Sequence, residues 1–165
     1  MTTNTLHFTI RRFRPEFDSH AIGQLYEASV SVLGAGHYEP EVIEAWRRWA
    51  DHPHAVAQLL SQGMTLIAQH SGRIAAFGQR HPAGHINMLY THPNFAQRGL
   101  GQALLEEMID AAKREGLSGL SVDASRISRS LFEKNGFRGD SPEWVERDNL
   151  RIERFPMTLQ FSGDR

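Results

Sequence analysis

The chain contains no cysteine, and this absence removes several chemistries at once. Without a thiol there is no disulfide, no thiolate metal site and no cysteine nucleophile. The sequence also has no apolar run long enough for a signal sequence or a membrane span, and residues 1–5 are polar and uncharged. We therefore expect a soluble cytoplasmic protein without a membrane partner.

The chain also lacks an excess of charge of one sign. Its formal net charge is −1 and its pI is near 6.8, so no global field attracts DNA or RNA, and nucleic acid is not expected as a partner. The nine histidines are not accompanied by cysteine or by a helical His-Glu-x-x-His pattern, so no metal site is predicted. The sequence leaves a homodimer open.

What is present is an ordinary globular composition. The 165 residues include 40% hydrophobic and 22% charged residues, which suffices for one substantial core. No internal repeat or linker divides the chain. We predict a single domain over residues 1–165, with its core at about residues 6–161.

Hydrophobic periodicity predicts the order of the elements. Period-two alternation and turn signals predict strands at residues 6–12, 64–68, 73–77, 86–90, 119–122, 143–147 and 151–161. Helical spacing predicts helices after Pro15 through residue 33, from Pro40 through Trp49, and at residues 55–60, 100–116 and 127–135. This order predicts a mixed α/β (α+β) sheet wrapped by helices.

A glycine-rich turn, Arg98-Gly99-Leu100-Gly101, joins a predicted strand to a predicted helix. Helix N-termini present unpaired N–H groups and bind anions such as pyrophosphate, and glycine lets phosphate oxygens approach the backbone. Arg98 can add a charge-assisted contact. The dinucleotide fingerprint fails at Leu104, and a P-loop fails at Gln102. An ordinary glycine-containing loop remains the alternative.

A second segment, Phe-Glu-Lys-Asn-Gly-Phe at residues 132–137, has the form of a short helix closed by glycine. Together the two segments, in this order of elements, resemble the GNAT superfamily of N-acetyltransferases. The resemblance extends over nearly the whole chain and implies a central, mostly antiparallel, splayed sheet flanked by helices. It also implies acetyl-CoA as cosubstrate, with the acetyl group moving to a primary amine of a small molecule or peptide. The reaction that the resemblance implies is direct attack of the amine in a ternary complex, through a tetrahedral oxyanion.

The resemblance also assigns the cosubstrate contacts. Backbone groups of the strand that ends near Tyr90 pair with the pantetheine arm, and the glycine turn holds the pyrophosphate. Ser125 stands in the family's asparagine slot and Ser128 in the following small-residue slot, although Ser125 as a helix N-cap is an equal alternative. The implied cofactor-binding residues are Leu89, Tyr90, Thr91, Gln97, Arg98, Gly99, Leu100, Gly101, Gln102, Ser125 and Ser128.

For catalysis, the family's glutamate slot falls on His85, which can titrate near neutrality and act as the base. The alternative is that His85 is merely a turn-exposed residue after Gly84. Two positions depart from the family: Ala96 replaces the Gln or Arg that opens the glycine motif, and Phe132 replaces a proton-donating tyrosine. These departures motivate an alternative function, an acetyl-CoA-binding regulatory or interaction module without turnover. A plain α+β interaction domain is a third interpretation.

Substrate recognition is expected in the first helices and the last strands, where the family varies most. Tyr26, Tyr38 and Trp46, together with Trp49, are the candidate substrate-binding residues. Their alternative role is packing of the helices on the sheet.

Overall fold

The computed structural model describes residues 6–163, which form one seven-stranded sheet with helices on both faces. The strands are β1 (Thr9–Arg12), β2 (Met64–His70), β3 (Arg73–Arg80), β4 (His85–Thr91), β5 (Gly119–Ala124), β6 (Glu143–Arg147) and β7 (Leu150–Gln160). The helices are α1 (Pro15–Leu33), α2 (Pro40–Arg47), α3 (Pro53–Leu60), α4 (Leu100–Arg114) and α5 (Arg129–Lys134).

The sheet order is β1-β2-β3-β4-β5-β7-β6, and every neighbouring pair is antiparallel except β4 and β5. The predicted fold class, a mostly antiparallel sheet flanked by helices, is confirmed. The order of the elements is also as predicted along the chain.

Several predicted boundaries were wrong by a few residues. The first strand begins at Thr9, and α2 stops at Arg47, so that Trp49 lies in a 3-10 turn at Arg48–Asp51. Prolines at the first helical positions set where α2 and α3 begin, because a proline there loses no helical hydrogen bond. α5 begins only at Arg129, since a hydrogen-bonded turn occupies the residues before it.

Each face of the sheet carries its own core. α4 packs Leu104, Leu105 and Met108, all fully buried, against one face together with Phe132 and Phe137. α1 and α3 pack Ile22, Leu25 and Val56 against the other face, around Ile67 and Phe77. No helix within residues 6–163 is both long and apolar enough to cross a bilayer.

A bulge in β4 opens the sheet. Gln79 of β3 lies opposite Met88 and Arg80 lies opposite Ile86, so Asn87 is an extra residue in β4. β4 pairs with β5 only through His85 and Ile86. Because a bulge adds local twist, the two strands part beyond this point and leave the rest of β4 without a neighbour on that side.

Candidate active site

The gap between β4 and β5 opens into a cavity of about 550 Å³. His85 lies at one end of the β4 segment that borders the cavity, and Thr91 lies at the other. Side chains from α1, α2, the β5 to α5 connection and the β6 to β7 hairpin close the remaining walls. The cavity therefore brings together segments that are far apart in the sequence.

The unpaired edge of β4 presents alternate backbone groups to the gap. His92 donates its N–H to the carbonyl of Ala75 at 2.8 Å, which makes these two residues a hydrogen-bonded pair. In an antiparallel ladder such pairs alternate, so Tyr90 bonds to Phe77 of β3. Leu89 and Thr91 then direct their N–H and C=O groups toward the gap. Of the three predicted strand residues, Tyr90 reaches the cavity through its side chain only.

The glycine turn ends in a helix start whose N–H groups are unused. Gly99 is the N-cap of α4 with a φ of 85°, and Gln97 also has a positive φ, 59°. Within the described part of the chain, no acceptor is found for the backbone N–H groups of residues 97–102. The first turn of α4 carries no acidic side chain. Free N–H groups at a helix start are the geometry that can hold an anion.

The predicted residues of this turn contribute in different ways. Gln97, Arg98 and Gly99 are exposed, whereas the side chain of Leu100 is 1% exposed and lies in the core, so Leu100 offers only its backbone. A Cβ added at Gly101 would make van der Waals contact with Leu131 at 3.4 Å and with the Thr91 hydroxyl at 3.9 Å, so a larger side chain there would occupy the space beside these two residues. The Gln102 amide exchanges two hydrogen bonds with Asn135, at 2.7 and 2.8 Å, and ties α4 to α5.

Across the gap, Ser125 and Ser128 form a closed turn. Ser125 donates its N–H to the Ser128 hydroxyl at 3.0 Å, and Ser128 donates its N–H to the Ser125 hydroxyl at 3.1 Å. Ser125 also accepts the N–H of Arg129 at its carbonyl, at 3.0 Å, so it caps the turn that leads into α5 in the manner of an N-cap, as the alternative role expected. Both serines line the cavity. Phe132 is 1% exposed and packs edge to face on Phe137, with ring centroids 5.1 Å apart.

His85 belongs to a polar cluster that links β4 and β5. Its Nδ1 lies 2.7 Å from the Ser121 hydroxyl, which in turn lies 3.3 Å from the carbonyl of Gly84. When the hydroxyl donates to that carbonyl, it accepts the Nδ1 proton, and Nε2 keeps its lone pair. Nε2 lies 3.8 Å from Asp123, whose carboxylate is also 3.4 Å from Arg154. His85 thus lies between Ser121 at its Nδ1 and Asp123 at its Nε2.

Aromatic rings form the opposite wall. Tyr26 packs edge to face on both Trp49 and Tyr90, at centroid distances of 4.7 and 4.9 Å. Trp46 packs in the same way on Tyr38, at 4.6 Å. All five side chains line the cavity. They therefore pack against one another and also form part of the cavity wall. Burial raises the pKa of Tyr90 to about 12 and also raises the pKa of Tyr26, which keeps both hydroxyls protonated.

Tyr38 also joins two loops. Its hydroxyl accepts the backbone N–H of Arg126 at 2.8 Å, and the Arg126 guanidinium lies 5.0 Å from the centre of its ring. The tyrosine thereby holds the segment after α1 against the turn that contains Ser125. Burial raises the pKa of Tyr38, against the opposing effect of the Arg126 N–H.

Sequence reasoning missed the partners of His85 and the bulge. Ser121 and Asp123 alternate on β5, but only the pairing of β4 with β5 places them beside His85. Asn87 donates to the side-chain oxygen of Gln79 at 2.8 Å, and Gln79, 0% exposed, donates to the carbonyls of Leu59 and Gln62. Asn87 lines the cavity, and its side-chain oxygen has no hydrogen-bond partner in the described part of the chain. Neither feature has a signature in the local sequence.

A sheet that parts beside a helix start with free N–H groups is suited to an extended ligand that carries phosphate. The ionisable cluster and the aromatic wall provide a separate place for a second reactant. The fold and site thus define a two-substrate transferase.

The comparison with known families agrees. The acetyltransferase (GNAT) domain model matches residues 35–161, and the chain belongs to this family. It is accordingly an acetyl-CoA-dependent N-acetyltransferase.

Three relatives illustrate the similarity. A GCN5-related N-acetyltransferase from Rhodopseudomonas palustris is 30% identical, with a TM-score of 0.89 over 98% of this chain and 99% of that one. The uncharacterized N-acetyltransferase YafP of Escherichia coli (strain K12) is 28% identical over 142 residues, covering 83% of this chain and 85% of YafP. PaiA N-acetyltransferase of Thermoplasma acidophilum, solved with coenzyme A, is 20% identical with a TM-score of 0.77, over 94% and 100% of the chains; it shares the fold.

Proposed function

We propose that this enzyme acetylates a primary amine of a small molecule or peptide by direct attack within a ternary complex, with His85 as the base. The observation that carries the proposal is the position of His85, where β4 and β5 part, with Nε2 open to the cavity and near Asp123. The catalytic unit is the single domain of residues 1–165, with a core at residues 6–161.

The cleft fits acetyl-CoA. The free N–H groups of residues 97–102 suit the pyrophosphate, and the backbone groups of Leu89 and Thr91 suit the amide groups of the pantetheine arm. Gly101 keeps the passage between Thr91 and Leu131 open. The coenzyme A complex of PaiA supports this assignment, because the two proteins share the fold.

Acetyl-CoA supplies the acetyl group as a thioester, whose C–S bond breaks as the amine forms the new C–N bond. The amine must first be neutral, and it gives up a further proton as the amide forms. His85 accepts a proton at Nε2, and the resulting imidazolium is stabilised by Asp123 at 3.8 Å. Ser121 holds the ring in the required tautomer.

No tyrosine serves the leaving thiolate from α5, because the residue in that slot is the buried Phe132. A thiol has a pKa of about 8.5, so its thiolate can leave without full protonation. The hydroxyls of Ser128 and Tyr38 line the same cavity and provide routes for a proton.

The test combines binding and turnover. Calorimetry should show coenzyme A binding, and a thiol reagent should detect coenzyme A release from acetyl-CoA when a primary amine is added. A product mass increase of one acetyl group identifies the modified nitrogen. A double-reciprocal pattern of intersecting lines is expected for a ternary complex, and parallel lines would contradict direct attack. Tight binding with no release across a broad amine panel would instead favour the module without turnover.

A further inference from the structure

The cavity contains a group of hydrogen-bond donors that have no partner among residues 6–163. They come from three elements: Tyr26 of α1, Tyr90 of β4, and Arg147 at the end of β6. None of the three side chains takes part in the proposed proton transfer. Donors that line one cavity without a protein acceptor can bind an acceptor-rich ligand group.

Arg147 differs from the other arginines around the cavity. Arg154 pairs with Asp123 and Glu143, and Arg126 pairs with Glu153. In the part of the chain that the structure describes, no carboxylate oxygen lies within 4.0 Å of an Arg147 nitrogen, although Asp148 follows it in the hairpin turn. The guanidinium is thus available as a charged, forked donor.

The two tyrosine hydroxyls are available for the same reason. The Tyr26 side chain is nearly buried, with 5% of the residue exposed, and its ring touches that of Tyr90. Neither hydroxyl has a hydrogen-bond partner among residues 6–163, and neither is sealed from the cavity. Arg147 lies close enough to lower the pKa of both phenols, against the larger effect of burial. Both hydroxyls stay protonated and able to donate.

We propose that the acceptor is an amine that also carries an anionic group, a carboxylate or a phosphate, which Arg147, Tyr26 and Tyr90 bind. Oxygen atoms of such a group accept the hydrogen bonds that the three donors lack. The aromatic wall of Trp46 and Trp49 covers the body of the substrate, and the amine lies toward His85 and Asp123. This inference rests on the proposed function and specifies its substrate class.

Matched amines test the proposal. The pairs are phenylalanine with phenylalanine amide, and 2-aminoethyl phosphate with ethanolamine, each assayed by coenzyme A release. We expect kcat/KM to favour at least one acid over its neutral partner by about tenfold to a hundredfold, the usual effect of a charge-assisted contact. The pair that shows the preference distinguishes carboxylate from phosphate.

Variants locate the effect. In Arg147→Gln the ratio of acid to neutral kcat/KM should fall toward one, and Tyr26→Phe with Tyr90→Phe should lower it in part. The matched control is Arg151→Gln, because Arg151 is exposed on the same hairpin, lies against Trp144 and does not line the cavity. It should keep the ratio of the unmodified enzyme.

The outcomes separate this inference from the proposed function. Acetylation of the neutral partners as fast as the acids would overturn the anionic substrate class and leave amine acetylation intact. An acid preference that persists in Arg147→Gln would overturn the role of Arg147. If no amine of any class causes coenzyme A release, the proposed function itself is contradicted. Thermal shift by the acids in the presence of coenzyme A gives a readout that does not depend on turnover.

Discussion

The two sides of the cleft are built from different parts of the chain. The proposed cosubstrate side presents backbone groups: the free edge of β4 and the N–H groups at the start of α4. The proposed acceptor side presents side chains: the aromatic wall, the His85 cluster and Arg147. The groups on the first side depend on the path of the backbone, and those on the second side depend on the identity of each residue.

We expect from this difference that the cosubstrate side tolerates departures from the family pattern. Ala96 replaces the residue that opens the glycine motif, yet the N–H groups of residues 97–102 still have no acceptor among the described residues. A backbone site survives such a change as long as the turn keeps its shape. On the acceptor side a single substitution removes the functional group, since each group there belongs to one side chain.

The largest effect is expected at His85. His85→Gln keeps a hydrogen-bonding side chain but cannot accept the amine proton, so kcat/KM should fall about 10²- to 10⁴-fold. Coenzyme A affinity, measured by calorimetry, should change little, because that side of the cleft uses backbone. The control His81→Gln alters the preceding turn at a residue outside the cavity. Equal activity of His85→Gln and the unmodified enzyme would exclude His85 as the base.

Cosubstrate binding should be weakened by a larger side chain at Gly101, without removal of any functional group. Gly101→Leu fills the space between Leu131 and Thr91, so coenzyme A should bind about a hundredfold more weakly or worse, as several phosphate and amide contacts are lost. Glu107→Leu, an exposed position of α4, is the matched control in titration calorimetry. Unchanged affinity in Gly101→Leu would show that the cosubstrate passes elsewhere.

Alkaline pH should destabilise the fold through the tyrosines of the acceptor side. The chain has three tyrosines, all in the cavity wall, and burial raises their pKa values, that of Tyr90 to about 12. An unfolded tyrosine ionises near pH about 10. These phenols therefore stabilise the fold fully below that pH, and this contribution is lost as the pH rises toward 12.

Ultraviolet absorbance of phenolate measures this directly. At pH about 10 the tyrosines of the urea-unfolded chain should be half ionised, whereas the native protein should show little phenolate. Tyr90→Phe should remove one late-titrating group. Coincident native and unfolded titrations would contradict the burial of these hydroxyls.

The smallest effect is expected at Asp123, whose carboxylate lies 3.8 Å from Nε2 of His85. Asp123→Asn removes the counter-ion of the imidazolium, and kcat/KM should fall about tenfold, because solvent and Arg154 already weaken the attraction. Glu146→Gln, on an exposed face of the β6 to β7 hairpin, should leave kcat/KM near that of the unmodified enzyme. A loss as large as that of His85→Gln would give Asp123 a direct part in proton transfer.

The same contrast determines how far the sequence could be interpreted. Strand alternation, helix spacing and the two glycine segments predicted the order of elements and the anion-binding turn, because backbone geometry follows local patterns. The gap was expected only through the family resemblance and not from the residues themselves, since it depends on one extra residue, Asn87, whose effect appears only when β3 lies beside it. Ser121 and Arg147 were missed for a related reason: their neighbours come from distant strands.

The unpaired edge of β4 has a consequence for the lifetime of the protein. In the proposed complex acetyl-CoA lies along that edge in the place of a strand, so it binds the folded chain and not the unfolded one. A ligand present at a hundredfold excess over its Kd adds about 2.7 kcal/mol to the free energy of unfolding. We expect the supply of acetyl-CoA to govern both the rate of the enzyme and its resistance to proteolysis, so that scarcity of one metabolite would deplete the catalyst that consumes it.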